Sequence, residues 1–192
     1  DTKETLSTEQ QSVTEVIEST ENVTEAGNEV TEGASEENPI TFTDALGRDV
    51  TVTSHDRVAA MIGSFADVWL LSGGELVATA NDSWESLDLD LGDDVVNLGS
   101  IQEPNTEALL ATQPDLVIAS TNTTSNVEME NMLTEAGVTV AYFDVSDFDA
   151  YLQMLDICTD ITGRKDLYEK NGLDVQKQIE EIKARVDDSH PS

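Results

Sequence analysis

Five compact apolar runs punctuate the chain: VAAMI (58–62), LVATA (76–80), VVNL (95–98), LVIA (116–119) and VTVAYF (138–143). Each is too short for a helix, shows no polar alternation and is followed by a polar loop, which is the pattern of strands buried on both faces. Upstream, ITFT (40–43) and VTVT (50–53) do alternate, around the turn DALGRD, and predict a β-hairpin in which Gly47 takes a positive φ. Helical patterns lie between the runs. Residues 65–71 end at Gly73-Gly74, and Pro104-Asn105 opens a short helix with Glu107 in its first turn. Ser125-x-x-Glu128 reads as a capping box ahead of inward-facing Met129, Met132, Leu133 and Ala136. Ser146-x-x-Asp149 repeats the device before the stripe Phe148, Tyr151, Leu152, Leu155, Cys158 and Ile161, which stops at Gly163. Strand and helix alternating at this spacing predict an α/β fold: a Rossmann-like three-layer sandwich with a mostly parallel sheet. After it, Val175, Ile179, Ile182 and Val186 mark a thin apolar stripe on a long charged helix. The expected organisation is a disordered acidic linker over 1–38, an α/β ligand-binding lobe over 39–163 and a long helix over 164–187.

Charge narrows the partners. The net charge of −31 includes eleven acidic residues and a single lysine within 1–38, a stretch without aromatic residues whose scattered apolar side chains cannot offset chain entropy. Only Arg48 and Arg57 are basic between positions 39 and 163. Such a polyanion repels phosphate backbones, so nucleic acid is excluded as a partner. No run of eighteen apolar residues occurs, and one cysteine, Cys158, precludes an internal disulfide and reads as a buried thiol.

Ligands of an open parallel sheet bind beyond the carboxyl ends of its strands. Those ends carry Gly63-Ser64-Phe65, Asn81-Asp82-Ser83-Trp84, Gly99-Ser100-Ile101, Ser120-Thr121-Asn122 and Asp144-Val145-Ser146. They offer hydroxyls, amides, carboxylates and aromatic rings, and no histidine, lysine or arginine. The first loop, GSFADV, lacks the glycine spacing of a dinucleotide site, and Ser64 lacks a nucleophile elbow. His55 precedes the first core run and His190 lies in the tail, so no metal-ligand set, cofactor motif or catalytic constellation is expected. The candidate ligand contacts are Ser64, Phe65, Ser83, Trp84, Ser100, Thr121 and Asn122; Trp84 would be a stacking platform or a loop anchor, and Phe65 has a competing place in the core. A different reading takes Asp82 and Asp144 as the acidic pocket of a flavodoxin-like or receiver-like signalling module.

The stretches ITFTDALGRDVTV, RVAAMIGSFADVWLLSGG, NLGSIQEPNTEALLATQPDLVIAS and YFDVSDFDAYLQMLDICTDITGR, followed by the long charged helix, together resemble one known family. It is the amino-terminal lobe of class III, or helical-backbone, ABC-transporter substrate-binding proteins, which carry ferric siderophores, haem or cobalamin. The resemblance covers residues 39–186. It implies a non-enzymatic, monomeric binding protein whose partners are a metal chelate and the membrane permease, with Glu107 docking on permease arginines. It also implies that the long helix leads to a second lobe absent from this chain. The acidic head then resembles the spacer behind a lipid-modified cysteine, on the extracellular face of a Gram-positive-type cell membrane or in a periplasm.

Overall fold

The computed structural model describes residues 39–189, with side chains through 186, all within the compact unit Glu37–Ser192. The acidic linker expected over 1–38 lies outside the described residues. An antiparallel hairpin, β1 (Ile40–Thr43) and β2 (Asp49–Val52), leads the lobe, with Gly47 at φ +76° in its turn. The second strand starts one residue earlier than the alternation suggested.

All five apolar runs become strands of one sheet: β3 (Val58–Ala60), β4 (Ala78–Thr79), β5 (Val96–Asn97), β6 (Leu116–Ser120) and β7 (Thr139–Phe143). Their order is β5-β4-β3-β6-β7, and every neighbouring pair is parallel. Because strand side chains alternate, Val58, Ala60, Leu116 and Ile118 point to one face while Ala59, Val117 and Ala119 point to the other. The first face packs on α1 (Gly63–Leu71) and α6 (Phe148–Thr162), the second on α3 (Thr106–Ala111) and α5 (Glu130–Glu135). Continuous apolar runs are thus what a sheet covered on both sides requires. Between β4 and β5 lies α2 (Asp82–Glu85), and between β6 and α5 lies α4 (Thr124–Glu128).

Two expected helix starts are corrected. Ser125 caps nothing: its hydroxyl donates to Ile101 O at 2.7 Å, α4 begins at Thr124, and the helix breaks at Met129 before α5 resumes. Met129 and Leu133 are buried as expected, but Ala136 is exposed. At α6 the cap is Asp147, whose carboxylate accepts from Ala150 N at 2.8 Å, in place of Ser146. A carboxylate one residue nearer the helix reaches the orphan amide and also suits the positive end of the dipole.

The long helix begins as α7 (Lys165–Tyr168), passes through a π-helical turn at Glu169–Leu173 and continues as α8 (Asp174–Ser189). The turn has a packing cause. Gly172 is pressed onto α6, where a Cβ would come within 3.0 Å of Leu152 Cδ2, and the wider turn swings Asn171 over to donate to Leu71 O at 2.8 Å. Beyond it, Val175, Ile182 and Val186 are exposed. No helix among the described residues is long and apolar enough to cross a membrane.

Cys158 is fully buried on α6, and burial pushes its thiol from the ordinary 9.0 up to about 12. Burial likewise takes Tyr142 from 10.0 up to about 12. Both shifts favour the neutral group in the folded state, so this stability is complete at neutral pH and is lost as pH rises from about 9 toward 12. Urea midpoints should stay flat around neutrality and fall steadily across that alkaline window. A thiol reagent at pH 8 should label Cys158 only at the rate of unfolding; rapid labelling of the native protein would contradict the burial.

Candidate functional site

The chain runs outward from β3 through β4 to β5, then returns past β3 to build β6 and β7. Loops leaving β3 and β6 therefore diverge at their carboxyl ends, which makes the crevice between them the topological switch point where open sheets bind ligands. Gly63 and Ser64 follow β3 and Thr121 and Asn122 follow β6, so the sheet seats these predicted residues on either side of that crevice. Trp84 belongs to the short helix α2 that follows neighbouring β4, and Ser100 to the loop beyond β5. Across four adjacent strand ends the band is ~14 Å wide, three interstrand spacings.

Side by side, the seven predicted contacts differ. Ser64 is exposed at the start of α1, and Trp84 is half-buried on α2. Ser100 is exposed, donating to Gln102 Oε1 at 3.1 Å and accepting from Gln102 N at 3.2 Å. Thr121 is half-buried, with its amide donating to Phe143 O at 3.1 Å. Asn122 is exposed, and its Nδ2 donates to Asp144 Oδ1 at 2.7 Å. Phe65 and Ser83 turn the other way. Phe65 is 4% exposed and meets Phe143 edge-on at 6.3 Å, and Ser83 is fully buried with its hydroxyl 2.9 Å from that of Thr79. An α-helical first turn places consecutive residues on different faces, so Phe65 lines the core while Ser64 faces out.

A cleft of about 360 Å³ opens between the loop after β5 and the loop after β6. Gln102, Asn122, Thr123, Thr124, Ser125 and Glu128 line it, and the Ser125–Ile101 hydrogen bond ties its two walls together. Of these, Asn122 alone is among the predicted contacts. The threonines and Ser125 sit in a stretch, TNTTSNVE, that reads as a capping sequence, and nothing in its periodicity distinguishes a lining hydroxyl from a cap.

Charge at this rim is neutral to negative. Asp82 receives the Gly63 amide at 2.8 Å through Oδ2, while its Oδ1 is buried with no hydrogen-bond partner among the described residues. Arg48 is committed elsewhere: it pairs with Asp44 at 2.6 Å and with Glu130, donates to Val140 O at 3.1 Å and stacks 5.0 Å over the Tyr142 ring. Burial would raise the Asp44 carboxyl, but the hydrogen bonds and charge of Arg48 outweigh it and hold Asp44 below its ordinary value. Arg57 stands at the opposite end of the sheet, before β3. Asp82 and Asp144 follow β4 and β7, with β3 and β6 between them, so the single acidic pocket of a receiver-like module is not formed. No three metal-ligating side chains converge among the described residues.

Glu107 is exposed in the first turn of α3, and among the described residues nothing pairs with it. The Pro-Asn start is as expected: Asn105 Oδ1 accepts from Ala108 N at 2.9 Å, leaving the Glu107 head free of the cap.

The family model of the periplasmic binding proteins matches residues 58–192. Among solved structures the chain is similar to the siderophore-binding protein BauB, bound to two acinetobactin molecules and ferric iron, with TM-score 0.63 and 19% identity over 76% of this chain and 54% of that one. It is similar to the haem-binding protein HmuT, with TM-score 0.60 and 25% identity over 85% of this chain and 53% of that one. Staphylococcus aureus SirA, complexed with staphyloferrin B, gives TM-score 0.59 and 21% identity over 79% of this chain and 53% of that one. The chain thus spans about half the length of the solved structures it matches. No curated protein sequence matches it.

Proposed function

We propose, since the chain belongs to the periplasmic binding protein family, that it supplies one lobe of a solute receptor holding a metal chelate at the carboxyl rim of its sheet. The chelate is a ferric siderophore, haem or cobalamin, and the receptor delivers it to the permease of an ABC uptake system. Residues 39–163 form the binding lobe, and 164–187 the helix joining it to a partner lobe. Ser64, Trp84, Ser100, Thr121 and Asn122 are the contacts, joined by Gln102 and Thr123 of the cleft; Glu107 is the docking group. The receptor works as a monomer outside the cytoplasmic membrane, periplasmic or lipid-anchored, and carries out no chemistry on its cargo.

The observation that carries this reading is the composition of the carboxyl rim: a cleft lined by the amides of Gln102 and Asn122, the hydroxyls of Thr123, Thr124 and Ser125 and the Glu128 carboxylate, with the half-buried Trp84 indole on the same rim beyond β4. These groups hydrogen-bond and stack on a ligand without supplying a nucleophile and base. An exposed carboxylate at a helix start can fork onto an arginine of a membrane partner.

Calorimetric titration of the chain with haem, cobalamin and a ferric trihydroxamate tests it. One lobe offers part of the buried area of a closed cleft, so weak, saturable binding of at least one chelate is expected. Trp84→Ala should lower that affinity by about tenfold, ~1.4 kcal/mol, without moving the melting temperature. Glu107→Ala should leave chelate binding unchanged and weaken capture by permease-containing vesicles. Absence of binding by all three chelates would sink the receptor assignment, and equal capture of the Glu107 variant would remove the docking role alone.

A further inference from the structure

A cavity with apolar lining lies away from the rim, under the edge strand β5. It measures about 480 Å³, within the range of small-molecule sites (~300–1,000 Å³). Val77, Val96 and, from α3, Ala108 and Ala111 line it together with Thr112 and two charged residues, Arg57 and Asp94. Arg57 stands immediately before β3 and Val77 immediately before β4, so the cavity opens at the amino ends of the strands, opposite the chelate cleft.

Neither charged group makes an ion pair with a described residue, and Arg57 differs in this from the lobe's other arginine. Arg48, the other cation of residues 39–163, is neutralised by Asp44 and Glu130. Arg57 donates Nε–H to Thr112 O at 2.7 Å, which completes the end of α3 and uses one of five guanidinium donors. No carboxylate of the described residues lies within ion-pair distance of it, and Asp94, exposed across the same cavity, makes no ion pair or hydrogen bond with a described residue. A purely structural arginine cap needs neither the half-exposed valines nor an opposed free carboxylate.

The geometry points to a second ligand site, for a zwitterion with an aliphatic body, of the size and class of a short apolar peptide. Its carboxylate forks onto the free Nη edge of Arg57, its ammonium pairs with Asp94, and its aliphatic side chains cover Val77, Val96, Ala108 and Ala111. An anion alone would meet Asp94 unpaired, and a cation alone would meet Arg57 unpaired, so the two residues together select molecules carrying both charges. The site does not depend on the chelate reading, since no residue is shared between the two.

The test uses the full, isotopically labelled chain and leucyl-leucine as probe, followed by amide chemical shifts. Saturable shifts are expected at Val77, Val96 and Ala108, with none at Trp84 or Asn122. The amino-acetylated and carboxy-amidated forms of the probe, and the Arg57→Gln and Asp94→Asn variants, should each weaken binding by about tenfold. Ala111→Leu, which fills the cavity from an exposed helix position, should abolish binding while the far-ultraviolet circular dichroism stays unchanged. No saturable shift at millimolar probe, blocked probes that bind as well as the zwitterion, or undiminished binding to Ala111→Leu would each overturn the inference.

Discussion

Replacing Trp69 with alanine is expected to cost about 3–5 kcal/mol, the largest loss from any single truncation in the lobe. The indole is fully buried on α1, in the layer between the sheet and α6. Its Nε1 donates to Glu75 O at 2.9 Å, and Gly74 lies so close to the ring that a Cβ there would fall 2.1 Å from Trp69 Cε2. Truncation therefore opens a cavity that neighbouring backbone cannot fill and orphans a carbonyl. Domains of this size hold about 5–15 kcal/mol in all, so the variant should melt roughly 10 °C or more below the parent by circular dichroism. Trp69→Phe, which keeps most of the volume but loses the N–H, should recover more than half of that loss. A Trp69→Ala protein melting with the parent would mean that α1 does not carry the core described here.

Arg48→Ala should follow closely, at about 3 kcal/mol or more, for an electrostatic reason. The Asp44 side chain is fully buried, and beyond the guanidinium it accepts from Leu46 N and Arg48 N, each at 3.0 Å. Removing the guanidinium strands a carboxylate inside the joint between hairpin and sheet and releases Glu130 as well. Because Arg48 itself is 31% exposed, water softens the penalty, and the lower end of the usual 3–5 kcal/mol range applies. The pH signature separates this from simple loss of packing. In the parent, Asp44 lies below its ordinary 3.8, so its contribution is present above that value and lost as pH falls through the lowered one. In the variant the unpaired carboxylate titrates upward, and acid relieves the strain. The stability gap between variant and parent should shrink from pH 7 to about pH 4. Adding Asp44→Asn to Arg48→Met should restore much of the loss, and a double-mutant cycle with additive losses would show that the two groups are not coupled.

The rim bears on which chelates the proposed receptor would hold. With Arg48 paired to Asp44 and Glu130 and Arg57 at the opposite end of the sheet, contacts from this lobe at the switch point are hydrogen bonds and stacking. A highly anionic complex would have to draw its positive partners from elsewhere in the receptor.

What the sequence determined by itself was the part governed by local pattern. Period-two alternation at 40–43 and 50–53 is a hairpin, and the five apolar runs are parallel strands, covered on both faces except at the edge strand β5, because a pleated strand hides consecutive apolar side chains only between two layers. Pro104-Asn105 caps α3 since an asparagine side chain reaches an orphan amide three residues on, a relation contained within four positions. Tertiary structure decided whatever depended on competition between distant partners. Ser125 has the spacing of a cap, yet a carbonyl 24 residues away takes its hydroxyl. The long helix widens into a π-turn at Gly172 because α6 presses against it, and Leu152 and Leu155 lie far outside any local window. Ser83 looks like a rim residue until the sheet assembles and turns it inward, Phe65 takes the core place that its position at a helix start favours, and Gln102, Thr123 and Ser125 gain a shared cleft only when loops from β5 and β6 meet. Hydrogen bonds and burial are awarded by free energy across the whole fold, so a motif in the chain names the candidates while packing selects among them.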